Sequence, residues 1–120
     1  MTETGLGVQD RMDTILRKVR NVTTPLAGFG LVAAAYFIVA YAPEEAEQGI
    51  VQKIFYGHVA SAWASYLSFF IVFVSSALYL WKRDRAWDLL ALSAAEVGVV
   101  FCTAVLVSGP FWGKPIWGTW

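Results

Sequence analysis

The chain has 120 residues, 58% of them hydrophobic and 15% charged, and its nine basic and nine acidic residues give a formal net charge of zero. That is too apolar for an ordinary soluble domain of this size and points to a polytopic membrane protein. Its basic residues form no face or stripe that could follow a phosphate backbone, so nucleic acid is excluded as a partner.

In chain order, Met12, Ile15, Leu16 and Val19 recur at helical spacing, with Arg17, Lys18 and Arg20 off that face. This predicts a basic amphipathic helix near residues 9–20, lying on the inner leaflet or docking a cytosolic partner. The polar stretch before the first apolar run, with no convincing small-residue cleavage site after it, reads as no cleavable signal peptide, so that run should remain as an anchor. Three spans follow, near residues 22–42, 55–81 and 88–108, each close to or beyond the roughly 20 residues that a hydrocarbon core requires. The first contains Gly28 and Gly30, suited to close helix packing. The second is uncharged from Ile54 to Trp81 and longer than a straight span needs, which places its first turn, with His58, Phe55 and Tyr56, at the interface. The third is interrupted only by Glu96.

Arg11, Arg17, Lys18 and Arg20 precede the first span, and Lys82, Arg83 and Arg85 separate the second from the third, while the other two flanks hold only Lys53 and Lys114. Positive charge on the inner side therefore predicts a cytoplasmic N-terminus and a cytoplasmic island from Lys82 to Asp88. The loop from Pro43 to Lys53 and the Trp-rich C-terminal segment should then share the outer side with His58. The density of Trp, Pro and Gly in that last segment suits a membrane surface better than a crossing.

Four features are candidates for chemistry or its absence. His58 opens a stripe on the second span continued by Ser61, Ser65, Ser68, Val72 and Ser75. The serines read as a packing seam, and the histidine as a metal ligand, a proton-transfer group or an interfacial hydrogen bond. Glu96 lies mid-span, where a carboxylate must be neutral, paired or facing a polar cavity; an intramembrane polar contact with Ser or Thr on another helix is expected, with a proton relay as the alternative. Cys102 is alone in an apolar run, without a CxxC partner, and reads as a small buried hydrophobe. Trp112, Trp117 and Trp120 are either interfacial anchors or flat walls for a planar ligand, with Trp117 and Trp120 on one face if the stretch is helical.

The string Tyr56-Gly57-His58-Val59-Ala60-Ser61-Ala62-Trp63 resembles the segment that opens the second transmembrane helix of the CcmC haem-handling proteins of cytochrome c maturation. The string from Ser108 to Trp120, with its WGKPxWGTW core, is similar to the start of that family's tryptophan-rich WWD domain. The resemblance implies an all-α membrane protein of three transmembrane helices preceded by an amphipathic surface helix, part of a larger helical bundle. Residues 1–21 would be the cytoplasmic amphipathic segment and 22–120 a truncated CcmC-like membrane domain in the bacterial inner membrane.

It further implies haem, b-type and non-covalent, at the outer face. His58 would be one axial ligand to the iron, and Trp112, Gly113, Lys114, Trp117, Gly118 and Trp120 would form the platform, with Lys114 near a propionate. The implied partners are the lipid bilayer, a periplasmic haem chaperone and ABC-transporter subunits. Because holding and passing haem needs no chemical step, no enzyme activity is expected. The family pattern continues with further helices and a second outer histidine, so one chain with one histidine is expected to bind haem weakly or not at all by itself. The rival readings are a proton-conducting subunit built on Glu96 and His58, and a small structural subunit without a ligand.

Overall fold

The computed structural model describes residues 3–119, without the side chains of residues 3–6 and 8. Every regular element among them is helical, in two compact units comprising residues 1–42 and 43–120.

In the first unit, α1 runs without interruption over Glu3–Tyr36 and passes into a π-helical turn at Phe37–Tyr41, closed by the Ala42 amide donating to the Phe37 carbonyl at 2.8 Å. The expected surface helix and first span are thus one element. No Gly-Pro or polar-turn cluster separates them, and Pro25, which lies inside the helix, removes only one donor, leaving the Asn21 carbonyl without its i+4 partner. Two residues before Pro25, the Thr23 hydroxyl donates to the Val19 carbonyl at 2.9 Å.

The second unit is a helical hairpin, α2 at Gln52–Lys82 and α3 at Arg85–Trp117, preceded by an ordered loop. Only Arg83 and Asp84 join the helices. Arg83 takes the left-handed conformation at φ 56° and donates its amide to the Tyr79 carbonyl at 2.8 Å, while Asp84 caps α3 by accepting from the Ala86 amide at 2.9 Å. A short polar residue at an N-cap satisfies one of the amides that a helix start leaves open. Lys82 lies over the Trp87 ring at 5.8 Å and Arg83 over the Tyr79 ring at 6.0 Å, so the basic island is also held against aromatic faces.

So tight a turn makes the helices antiparallel neighbours, and their contact follows the serine stripe. Ser65, Ser68 and Ser75 are buried, Ser75 to 1% exposure, and among the described residues no large apolar side chain reaches that level. In lipid, small residues let backbones approach, and close packing replaces the solvent-driven burial of bulky groups. The Ser68 hydroxyl donates to the Ala64 carbonyl at 2.8 Å, which removes its need for a donor or acceptor on the facing helix. Opposite it, Gly98 is buried, and a Cβ added there would come within 3.1 Å of the Ser68 Cβ and 3.2 Å of the Phe69 ring.

All three expected spans fall in helices long and apolar enough to cross a membrane. The chain is an all-α multi-pass membrane protein. The third helix differs from expectation at its end: it continues through Pro110 and Pro115 to Trp117 instead of stopping near residue 108. Each proline deprives one carbonyl, Leu106 or Phe111, of its donor, yet both fit because a helix in lipid tolerates proline where neighbouring groups cover the gap. The helix ends where Gly118, at φ 71°, donates its amide to the Lys114 carbonyl at 2.9 Å. This is the left-handed glycine stop.

Candidate functional site

The antiparallel hairpin determines which residues meet. His58 and Ser108 each lie 25 positions from Arg83, and Ser68 and Gly98 each 15. At the end of the hairpin away from the basic island, His58 Nδ1 is 2.9 Å from the Ser108 hydroxyl oxygen, which is itself 2.6 Å from the Ala104 carbonyl. The imidazole lies near-parallel to the Trp112 ring at a centroid distance of 6.1 Å and an interplanar angle of 21°. Its edge rests over Gly109, where an added methyl would sit 3.4 Å from Cε1.

Trp112 is the centre of this group. It packs on Phe55 at 4.8 Å between centroids and receives Trp117 edge-on at 4.9 Å and 81°. Helical side chains lean toward the N-terminus, so Trp117 folds back over Gly113, one turn earlier. A Cβ at Gly113 would come within 3.2 Å of that ring, which is the local reason for a glycine there.

The ordered loop closes over the same end. Glu45 Oε2 accepts from the amides of Glu47 at 2.9 Å and Gln48 at 2.7 Å, and the Gly49 amide donates to the Glu45 carbonyl at 2.8 Å. The turn thereby presents Gln48, whose Oε1 accepts from Trp112 Nε1 at 3.4 Å. A neutral bond of that length contributes about 1 kcal/mol at most. Replacing Gln48 by Ala should shift the Trp112 indole N–H resonance with little loss of stability; an unmoved resonance would show that the bond does not form.

His58, Gly109, Pro110, Trp112, Gly113, Trp117 and Thr119 line a recess of about 340 Å³. That volume lies at the small end of ligand sites, with one imidazole among mostly apolar walls. Only Nδ1 of His58 is engaged in a hydrogen bond among the described residues; Nε2 is not.

The sequence-predicted residues are partly assembled here. His58, Trp112, Gly113 and Trp117 share the recess. Lys114 is half-buried in the last turn of α3, Gly118 ends the helix, and Trp120 lies outside the described residues. Glu96 is exposed, and no residue of α2 is hydrogen-bonded to it. At about 100° per residue it lies on roughly the opposite side of α3 from Gly98. It is also twelve positions from Ser108, about 18 Å along the axis, too far for direct contact with His58. Glu96 therefore faces away from α2, whose seam is taken by residues small enough for close approach, and its expected polar contact with another helix is not one made within this hairpin. Ser108, Gly109 and Gln48 were not singled out as partners of His58 and Trp112. The equal spacing about the charged turn was the available signal.

The sequence model of the family CcmC, Heme exporter protein C, matches residues 4–120. Among curated proteins, a ccmC-like mitochondrial protein of cytochrome c biosynthesis from Marchantia polymorpha is 40% identical over 86 residues, 72% of this chain and 38% of its own. Heme exporter protein C of Rhodobacter capsulatus is 36% identical over 91 residues, 76% of this chain and 36% of its own, and that of Bradyrhizobium diazoefficiens 34% over 91 residues, 75% and 34%. The chain thus spans little more than a third of the length of these relatives. No solved structure matches it.

Proposed function

Since the chain belongs to the Heme exporter protein C family, we propose that the recess at the outer end of its hairpin is part of a haem-holding site used in cytochrome c maturation. The observation that carries this reading is the imidazole of His58, seated on Trp112 and lining an apolar recess, with only its Nδ1 hydrogen-bonded among the described residues. Neutral imidazole is the commonest nitrogen ligand to haem iron, and aromatic faces suit a flat apolar macrocycle. When bound, haem would supply an iron with positions open to such a nitrogen.

His58 would hold the iron, and Trp112 and Trp117, with Gly113 between them, would shape the apolar wall. Lys114 would bring a positive charge toward a carboxylate, with Gly118 and Trp120 completing the rim. The chain has no CxxCH, and its one cysteine, Cys102, lies mid-helix, so the retention is non-covalent, as for a b-type haem. Holding and releasing haem makes or breaks no covalent bond of the protein, so no catalytic residue is assigned. The reading extends to the bacterial inner membrane, a cytoplasmic N-terminus, delivery to a periplasmic haem chaperone and cooperation with ABC-transporter subunits; family membership and the charge asymmetry support it.

The test is haemin titration of the chain in lipid nanodiscs. With one imidazole available, weak one-to-one uptake is expected, with a Soret band shifted from that of empty nanodiscs and a haem fully extractable into acidified solvent. Spectra and desalting-column retention identical to empty nanodiscs, both for this chain and for a chimera in which a full-length relative supplies the remaining helices, would overturn the reading.

A further inference from the structure

We propose that Ser108 is a positioning residue that fixes the tautomer of His58, holding the proton on Nδ1 and leaving Nε2 as a bare lone pair directed to ligand binding. The proposal rests on the haem-site reading for its purpose, but its physical content is a property of the haem-free chain.

A serine hydroxyl has one hydrogen and two lone pairs. The Ser108 oxygen is 2.6 Å from the Ala104 carbonyl, 3.4 Å from the Val105 carbonyl and 2.9 Å from His58 Nδ1. A carbonyl only accepts, so two oxygens 2.6 Å apart require the hydroxyl hydrogen between them; without it their lone pairs would repel. Such a separation is at the short end for an O–H donor to an oxygen. The one hydrogen is therefore committed to Ala104, and Ser108 meets His58 as an acceptor. Nδ1 must donate. In a neutral imidazole only one nitrogen carries a proton, so Nε2 is the unprotonated one.

Three features keep this assignment in place. Ser108 is helical and bonds back one turn, so its hydroxyl is held by its own backbone and does not rotate with the imidazole. Trp112 lies along the ring face, and the ring edge rests against Gly109, where even an added Cβ would meet Cε1 at an ordinary contact distance of 3.4 Å. The ring's rotation and its proton are thus fixed together, before any ligand arrives. Partners of this kind typically change metal affinity by about 10- to 100-fold.

The decisive measurement is the ¹⁵N NMR spectrum of the imidazole in the haem-free 120-residue chain, in nanodiscs and alkaline buffer, where the single histidine needs no assignment. Nδ1 should give the protonated, pyrrole-type signal and Nε2 the pyridine-type one. Ser108→Ala, nearly isosteric and favourable to a helix, should mix the two tautomers, and Ser108→Thr, which keeps the hydroxyl, should restore the wild-type pattern. In haemin titrations Ser108→Ala should weaken binding about tenfold or more, with recovery in Ser108→Thr. A wild-type spectrum with the proton on Nε2, or one that Ser108→Ala leaves unchanged, would overturn the proposal. A tautomer that responds to Ser108 while haemin uptake ignores His58→Ala would instead remove the haem reading and leave the tautomer assignment standing.

Discussion

In a chimera that completes this segment with the remaining helices of a full-length relative, His58→Ala is expected to lower haemin retention by more than about 100-fold, beyond what loss of an orienting partner alone costs a metal site. The substitution removes the one imidazole of the chain while leaving its surroundings nearly intact. Alanine is the best helix former, Phe55 and Trp117 still pack on Trp112, and the serine seam lies further along the hairpin. The variant should therefore fold as the parent does, which thermal unfolding in detergent would verify. What remains of this segment's recess is apolar, without a nitrogen for the iron. Any haemin taken up should show a spectrum altered by the loss of that ligand. Parent-like retention and an unchanged Soret band would end the assignment of His58 as ligand, even with the aromatic wall left in place.

Gly98→Leu should cost the hairpin about 2–3 kcal/mol or more, at the upper part of the range for overpacked cores. The argument is geometric. A Cβ at position 98 alone would lie 3.1 Å from the Ser68 Cβ, an atom fixed to the backbone of α2, and 3.2 Å and 3.4 Å from two atoms of the Phe69 ring. The ring can swing toward lipid; the serine carbon moves only with its helix. Gly98→Ala sets a smaller clash against the helix-propensity gain of about 1 kcal/mol over glycine, so it should be close to neutral. Leucine gains nearly the same propensity, but its larger side chain must separate α2 from α3, which also draws His58 from Ser108 ten residues further along the same seam. Unfolding in mixed micelles measures the first effect and the imidazole ¹⁵N spectrum the second. A Gly98→Leu chain within 0.5 kcal/mol of the parent, with its tautomer intact, would show that the helices do not meet at Gly98.

Much of this arrangement was legible before the structure. Charge islands and apolar runs located the helices because lipid enforces both length and backbone satisfaction. The serines read correctly as a seam, since hydroxyls spaced at three and four along an apolar helix have few other uses. The same charge count put His58 and the tryptophans on one side, and Trp112 and His58 are stacked. The end of α3 was less legible. Pro110, Pro115 and the glycines between Ser108 and Gly118 argue locally against a helix, yet tertiary context keeps α3 going until Gly118 supplies a residue that accepts positive φ. Glu96 was expected against a polar neighbour on energetic grounds; its position on α3 was readable, but which helix it would face depends on packing that periodicity does not encode. Ser108 looked like one more small residue because its significance lies in what stands across from it.

The two-residue turn at Arg83 and Asp84 has a consequence for the whole hairpin. Because nothing in it is slack, the turn acts as the zero of a ruler whose graduations are helix residues, and the recess is read off at the 25th mark on both arms. One residue more or less would rotate one arm by about 100° and slide it by about 1.5 Å. A change at the basic end of the molecule, on the order of 37 Å from His58, would therefore mismatch the jaws at the other end without touching any residue in them. In this hairpin the register is set at one end and read out at the other.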